Sequence, residues 1–177
     1  MSRSIFGRKR SPRITIAIAS VMSAIVCVST YLLQIPIPAT QGYFNIGDAM
    51  VFTSALVFGP IIGGFSGGVG SALSDMLGGY GGYAPMTLVV KGIEGALAGI
   101  ISNGKNSNRD ILGVIVGGAE MITGYFLIET VILGYEGLVE IPFNFLQILV
   151  GGIISVPLSL IVRRYLVPIT SQTKEDE

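Results

Sequence analysis

The 177-residue sequence contains no histidine and only one cysteine, Cys27. The lack of histidine excludes catalytic dyads and triads built on that residue, and it excludes haem ligation by an imidazole. A single cysteine excludes an internal disulfide and a cysteine-rich zinc site. We therefore expect no metal, no cofactor and no enzymatic activity.

Charged residues are also scarce, at 12% of the chain against about 25% in soluble domains. Half of the residues are hydrophobic, the mean hydropathy is +0.71, and 25 residues are glycine. Glycine inside apolar runs favours close contact between helices in a membrane. These features predict an integral membrane protein with one domain. Because the 11 basic and 11 acidic residues balance, no nucleic-acid partner is expected.

Apolar runs predict an all-α bundle of six transmembrane helices. The first run, 14–35, is too long for the apolar part of a signal peptide and is long enough to cross a bilayer. The block 49–77 would form a helix of about 44 Å, too long for one span, so Gly59-Pro60 is interpreted as a turn between two helices. The other helices are placed at 86–102, 111–133 and 142–165, the last with a kink at Pro157.

The distribution of basic residues predicts the orientation of this bundle. Ten of the eleven basic residues fall in the N-terminal segment, in 103–110 or after residue 162. The segments 34–47, 78–85 and 134–140 contain none. The positive-inside rule then places both termini in the cytoplasm of a plasma-membrane protein. The bundle would cover 13–166, between a basic segment 1–12 and a disordered tail 167–177.

Six ionisable residues lie inside the predicted helices or at their ends, where a charge costs about 2.5–3.5 kcal/mol at mid-bilayer. They are Asp48, Asp75, Lys91, Glu94, Glu120 and Glu129. Together with Asn45, Tyr83, Tyr125 and Asn144, they are the predicted substrate-binding residues. Most of them share the outer third of the membrane, whereas Glu94 and Glu120 lie deeper. This layer predicts a binding pocket open to the outside, although a set of structural ion pairs remains an alternative.

Aromatic residues crowd the same layer, either as an interfacial belt or as a surface that stacks on a heteroaromatic ligand. The layer has one cation against several carboxylates, so a neutral or cationic ring fits better than a dianion. The segment 34–47 is long enough to cover a pocket as a lid.

Small residues give the first helix a flat face formed by Ala19, Ser20, Ser23 and Ala24. This face is the predicted docking site for a partner helix, and core packing is an equally acceptable interpretation.

Four segments carry a resemblance to a known family. They read "GYFNIGDAMVFTSALVFGPIIGGFSGGVGSALSDMLGGY", "YAPMTLVVKGIEG", "GYFLIE" and "IPFNFLQ". In this order and spacing they resemble the substrate-binding S components of energy-coupling factor (ECF) transporters, in the riboflavin- or hydroxymethylpyrimidine/pyridoxine-type branch. The resemblance covers about residues 13–166.

The resemblance implies a six-helix fold that captures a vitamin in the outer half of the membrane, beneath the connection between helices one and two. It implies assembly with a transmembrane coupling protein and two cytoplasmic ATPases, and toppling of the S component to release substrate. An Ala-x-x-x-Ala pattern on helix one contacts the coupling protein in that family, and Ala19/Ser23 and Ser20/Ala24 are the nearest matches here. The substrate stays open between pyridoxine- or hydroxymethylpyrimidine-like compounds, riboflavin and thiamine-like compounds.

Two other classes of protein compete with this interpretation. A stand-alone proton-coupled transporter could use Glu94 and Glu120 as relay groups, but no internal repeat typical of such carriers is present. The sequence "GGFSGG" is similar to an intramembrane serine protease motif, but the chain has no histidine to act as base. No nucleotide-binding phosphate loop is found either, so any ATP would be hydrolysed by another chain.

Overall fold

A computed structural model describes residues 11–37, 42–102, 104, 106–134 and 136–172. It contains six α-helices in chain order: α1 Pro12–Leu32, α2 Asp48–Phe58, α3 Pro60–Gly78, α4 Ala84–Ile101, α5 Ser107–Leu133 and α6 Glu136–Gln172. Two short strands, β1 Ile35–Pro36 and β2 Tyr43–Phe44, form an antiparallel hairpin between α1 and α2. The all-α class and the number of helices are therefore confirmed.

Four of these helices are long and apolar enough to cross a membrane, judged by length and composition of the described residues. They are α1, α4, residues Ser107–Val131 of α5 and residues Leu138–Tyr165 of α6. With 11 residues, α2 is about 17 Å long, which is much less than the roughly 30 Å of hydrocarbon in a bilayer. The described residues thus confirm six helices, but only four of them meet the length and composition expected of a transmembrane span.

The helix ends differ from the sequence prediction at several places. The first helix ends at Leu32 rather than at residue 35, because the residue before Pro36 disfavours helical backbone. The fifth helix begins at Ser107 rather than 111, because the side chain of Asn106 accepts a hydrogen bond from Asn108 N at 2.9 Å and caps it.

The acidic loop predicted at 134–140 is wrong. Helix α6 already begins at Glu136, so that Gly134, with a φ of 76°, is the last described residue before it. Similarly, α4 begins at Ala84, two residues before its predicted start. The predicted disordered tail 167–177 is wrong in its first half, because α6 continues to Gln172 rather than ending near residue 165. Residues 173–177 lie outside the described residues.

The predicted break at Gly59-Pro60 is confirmed. Gly59 has a φ of 95°, a region that residues with a Cβ rarely adopt. Pro60 then occupies the first turn of α3, where its missing N–H leaves no helical hydrogen bond unmade. The turn lets α2 and α3 pack against each other.

The core of the bundle is built around α2. Nine of its 11 residues are buried, and Phe52, Ala55 and Leu56 form a cluster with Ala98 of α4 and Val114 of α5. A helix that is apolar on all sides belongs in the interior. The large hydrophobic side chains of α1, α5 and α6 are instead widely exposed, as expected where a helix faces lipid.

Helices α3 and α4 approach each other through glycines. A Cβ on Gly63 would lie 2.8 Å from the carbonyl oxygen of Gly95, and one on Gly64 would lie 3.0 Å from that of Gly92. The rows of small residues on these helices therefore serve close backbone packing.

Candidate functional site

A pocket lies at the end of the bundle where the β1–β2 hairpin sits, which we call the hairpin end. It contains about 440 Å³ of empty space, including the part open to solvent. All helices except α2 contribute to its lining, which comprises Thr30, Gly42, Tyr43, Asn45, Ser71, Asp75, Tyr83, Thr87, Lys91, Tyr125, Glu129, Glu140, Asn144 and Gln147.

Lys91 of α4 forms two ion pairs at this pocket. Its ammonium group binds Oδ1 of Asp48, the first residue of α2, and lies 3.0 Å from Oε2 of Glu94, one turn further along α4. The side chain of Lys91 is only 4% exposed, and those of its partners are 1% and 0% exposed. A buried ammonium group requires such pairing, because an isolated charge would lose several kcal/mol of hydration. Asp48 and Glu94 are therefore the partners of Lys91, although Asp75 was an equally acceptable candidate from the sequence.

Asp75 of α3 has a different partner, Tyr43 of the hairpin. The Tyr43 hydroxyl donates a hydrogen bond to Asp75 Oδ1. Burial, and then the neighbouring Asp75 carboxylate, raise the pKa of Tyr43 above its usual range, so its hydroxyl remains a donor. The second oxygen, Asp75 Oδ2, and the hydroxyl of Thr30 are buried without a hydrogen-bond partner among the described residues.

The hairpin is held to the bundle by several polar contacts. Backbone N and side-chain Nδ2 of Asn45 both donate to Gln147 Oε1 of α6, at 2.8 and 2.6 Å. Gln34 Nε2 donates to Ser74 Oγ at 3.2 Å, and the rings of Tyr43 and Tyr80 lie 4.5 Å apart, centroid to centroid. The described part of the predicted loop 34–47 therefore includes a short hairpin, and its residues Gly42, Tyr43 and Asn45 form part of the pocket wall.

The other side of the pocket comes from α5 and α6. Tyr125 donates a hydrogen bond to Thr87 Oγ1 at 3.1 Å, and its ring lies 5.9 Å from the Lys91 ammonium. Two carboxylates, Glu129 and Glu140, are 2% and 4% exposed. The wall thus combines apolar ring faces with carboxylates, a combination that suits a flat organic molecule with polar hydrogens.

The structure brings seven of the ten predicted site residues to the pocket: Asn45, Asp75, Tyr83, Lys91, Tyr125, Glu129 and Asn144. Asp48 and Glu94 do not line it but contact Lys91. Glu120 does not line it either and is partly buried on α5. Three aromatic residues of the predicted layer, Tyr43, Tyr83 and Tyr125, line the pocket, whereas Phe145 is 60% exposed.

Sequence reasoning missed several polar residues of the lining. Ser71 and Thr87 precede Asp75 and Lys91 by four residues, and Gln147 follows Asn144 by three. Side chains at these spacings share one face of a helix, so the periodicity carried a usable signal. Glu140 was missed because residues 134–140 were interpreted as a loop.

A second buried polar cluster lies at the opposite end of the bundle, around Arg163 of α6. The guanidinium donates two hydrogen bonds to Asp110 of α5, at 2.7 and 3.0 Å, one to Ser102 Oγ at 3.3 Å and one to the carbonyl oxygen of Leu56. Arg163 is one of the basic residues that predict the orientation of the bundle, but its side chain is not free in solvent: Arg163 is only 9% exposed. This ion pair is part of the packed bundle.

The predicted docking face on α1 divides into two rows. Ala19 and Ser23 are buried, and Ala19 packs against Ile62 of α3. Ser20 and Ala24 are exposed. Ala19 and Ser23 therefore pack inside the bundle, whereas Ser20 and Ala24 are open to a partner helix. Only Ser20 and Ala24 remain candidates for docking.

A buried polar pocket within apolar helices defines a membrane protein that binds a small molecule. The chain belongs to the family of ECF-type riboflavin transporter S components, which matches residues 12–164. The match confirms the family resemblance and identifies the chain as a substrate-binding S component for a vitamin or vitamin precursor.

Two relatives are similar to the chain over most of its length. It is 48% identical over 130 residues to an uncharacterized protein from the gap 3′ region of Pyrococcus woesei, covering 73% of this chain and 87% of the relative. It is also 24% identical over 151 residues to the thiamine precursor transporter HmpT of Lactococcus lactis subsp. cremoris (strain MG1363), covering 84% and 87% of the two chains.

Proposed function

We propose that the pocket at the hairpin end captures a B-type vitamin or its precursor from outside the cell. The observation that supports this proposal is the pair of buried, unpartnered polar atoms in the lining, Asp75 Oδ2 and Thr30 Oγ1. Buried polar atoms without partners are rare in native structures, and a ligand with polar hydrogens would complete both.

Purification of the protein followed by mass spectrometry of the bound small molecule tests this proposal. We expect a vitamin or vitamin precursor, bound in a ratio of about one to one without ATP. Asp75→Asn should weaken its binding, because the amide replaces an acceptor oxygen with a donor. Ser159→Ala is a suitable control, since Ser159 is buried in α6 outside the pocket. Equal affinities of these two variants for the bound molecule would contradict the assignment of its binding site to this pocket.

The chain works, in this proposal, with a transmembrane coupling protein and two ATPases, and both of its termini are cytoplasmic. The exposed small residues Ser20 and Ala24 allow close approach of a partner helix. Ser20→Phe should abolish co-purification of the coupling protein and leave vitamin binding unchanged. Val21→Phe, at a neighbouring exposed position, should leave co-purification of the coupling protein intact. Transport by the chain alone, driven by a pH gradient in proteoliposomes, would overturn the S-component assembly and favour a proton-coupled carrier.

All six helices would lie at membrane depth, with the hairpin end outside. Labelling with a membrane-impermeant maleimide tests this orientation on a Cys27→Ala background. Gly81→Cys should react from outside, since a Cβ at this position meets no atom within 4 Å. Asn108→Cys, at an exposed position near the start of α5, should react only after permeabilisation. The reverse result would invert the topology.

A further inference from the structure

Lys91 is the one basic residue in the described lining of the pocket, and carboxylates of the protein itself neutralise its charge. Lys91 is bound by two carboxylates, Asp48 and Glu94, both almost fully buried. This group of three therefore carries no surplus positive charge when its members are ionised. An anionic ligand would gain little from Lys91, because it would have to compete with carboxylates already in contact.

The other acidic or basic residues of the described lining are all carboxylic acids. Asp75, Glu129 and Glu140 all line the pocket and are at most 4% exposed. Lys91 is the only lysine or arginine in residues 14–104, and residues 110–162 contain none. These segments therefore contain no cationic side chain other than Lys91.

An independent observation indicates that a ligand completes this wall. Asp75 lines the pocket and is 1% exposed. Its Oδ2 atom has no hydrogen-bond partner among the described residues. Thr30 Oγ1, on the α1 side of the same pocket, is also unpartnered. An ionised carboxylate only accepts hydrogen bonds, so the missing group must supply N–H or O–H donors.

We propose that the pocket selects a ring compound that carries a positive charge, such as an ammonium or a ring cation, and that the carboxylates of Asp75, Glu129 and Glu140 recognise this charge. Lys91 shapes the pocket through Asp48 and Glu94 and does not bind an anionic group of the ligand. This inference rests on the proposed function and names the chemical class of its substrate.

Two matched pairs of ligands test the proposal, each differing only in an aminomethyl group, which is protonated at neutral pH, or a hydroxymethyl group. They are pyridoxamine with pyridoxine, and 4-amino-5-aminomethyl-2-methylpyrimidine with its 5-hydroxymethyl counterpart. Affinities would be measured by calorimetry on the purified full-length protein. Charge-assisted hydrogen bonds are roughly twice as strong as neutral ones, so we expect the aminomethyl compound of at least one pair to bind about tenfold more tightly.

Variants on α5 provide a matched control. Glu129→Gln should reduce the preference for the charged compound several-fold, because it removes a carboxylate from the wall. Glu120→Gln changes a glutamate of the same helix outside the lining and should leave the preference intact. Equal effects of the two substitutions would overturn the assignment of Glu129.

The outcomes separate the two proposals. Equal or tighter binding of the hydroxymethyl compounds, or a neutral vitamin such as riboflavin co-purifying with the protein, would overturn the charge selectivity and leave the S-component function standing. If none of the four compounds binds and no vitamin or precursor co-purifies, the proposed vitamin capture fails as well.

Discussion

Removal of the Arg163 guanidinium should strongly destabilise the bundle without affecting ligand capture. The side chain binds Asp110, Ser102 and the carbonyl oxygen of Leu56, and the Asp110 side chain is 0% exposed. In Arg163→Met the apolar stem is kept, but a buried carboxylate loses its cation. Breaking a buried ion pair from one side costs about 3–5 kcal/mol.

This free energy corresponds to a large fall in melting temperature. For chains of about 150–250 residues, 1 kcal/mol shifts the melting temperature by about 2–4 °C, so we expect a decrease of about 6–20 °C. The single cysteine provides the assay, because Cys27 is 9% exposed in α1 and becomes accessible on unfolding. A thiol-reactive fluorophore would report the transition in detergent.

Two further variants make the prediction refutable. Arg164→Met changes the adjacent, exposed arginine and should shift the melting temperature by no more than about 2 °C, because surface substitutions cost about 0.5 kcal/mol or less. Arg163→Met combined with Asp110→Asn should recover part of the loss, since no unpaired charge then remains buried. If Arg163→Met and Arg164→Met melt together, the buried pair does not stabilise the bundle.

Three other substitutions test the packing and the pocket. Lys91→Met should lower the melting temperature by about 6–20 °C, because it leaves buried carboxylates without their cation. Adding Asp48→Asn should recover part of the lost stability, and a double variant less stable than Lys91→Met would refute the ion pair as the cause. Gly95→Val should destabilise by about 1–3 kcal/mol or more through overpacking against α3, whereas Gly81→Ala, in open space, should not change the melting temperature. Tyr43→Phe should speed dissociation of the bound ligand, because it removes the hydrogen bond from the Tyr43 hydroxyl to Asp75. An unchanged dissociation rate in stopped-flow measurements would show that this hydrogen bond does not retain the ligand.

Much of the fold could be predicted because its signals are local. The apolar runs locate the helices, and the positive φ required after Phe58 can be inferred from Gly59-Pro60 alone. The start of α5 could not be placed as well, because it depends on whether the side chain of Asn106 turns back to cap the helix. For α6, an acidic stretch was interpreted as a loop although it forms the first turns of a helix.

The site was predictable as a layer but not as a set of contacts. Lys91 stands out because it is the only basic residue among long apolar runs. Whether it pairs with Asp48 or Asp75 depends on the rotation of three helices about their axes, which hydropathy does not determine. The burial of Arg163 was missed for a related reason, since the positive-inside rule treats every basic residue at a helix end as exposed.

Each of the two buried ion pairs has a member that contacts one end of the 11-residue helix α2. Asp48 at the N-terminus of α2 binds Lys91, and the carbonyl oxygen of Leu56 near its C-terminus accepts a hydrogen bond from Arg163. Negative charge at the first turn and positive charge at the last turn both complement the helix dipole. Lys91 of α4 therefore balances the Asp48 carboxylate at the N-terminus of α2, and Arg163 of α6 satisfies one backbone carbonyl oxygen near its C-terminus. A helix supported in this way does not have to reach either surface of the bilayer, and the space left above its N-terminus is available for the pocket.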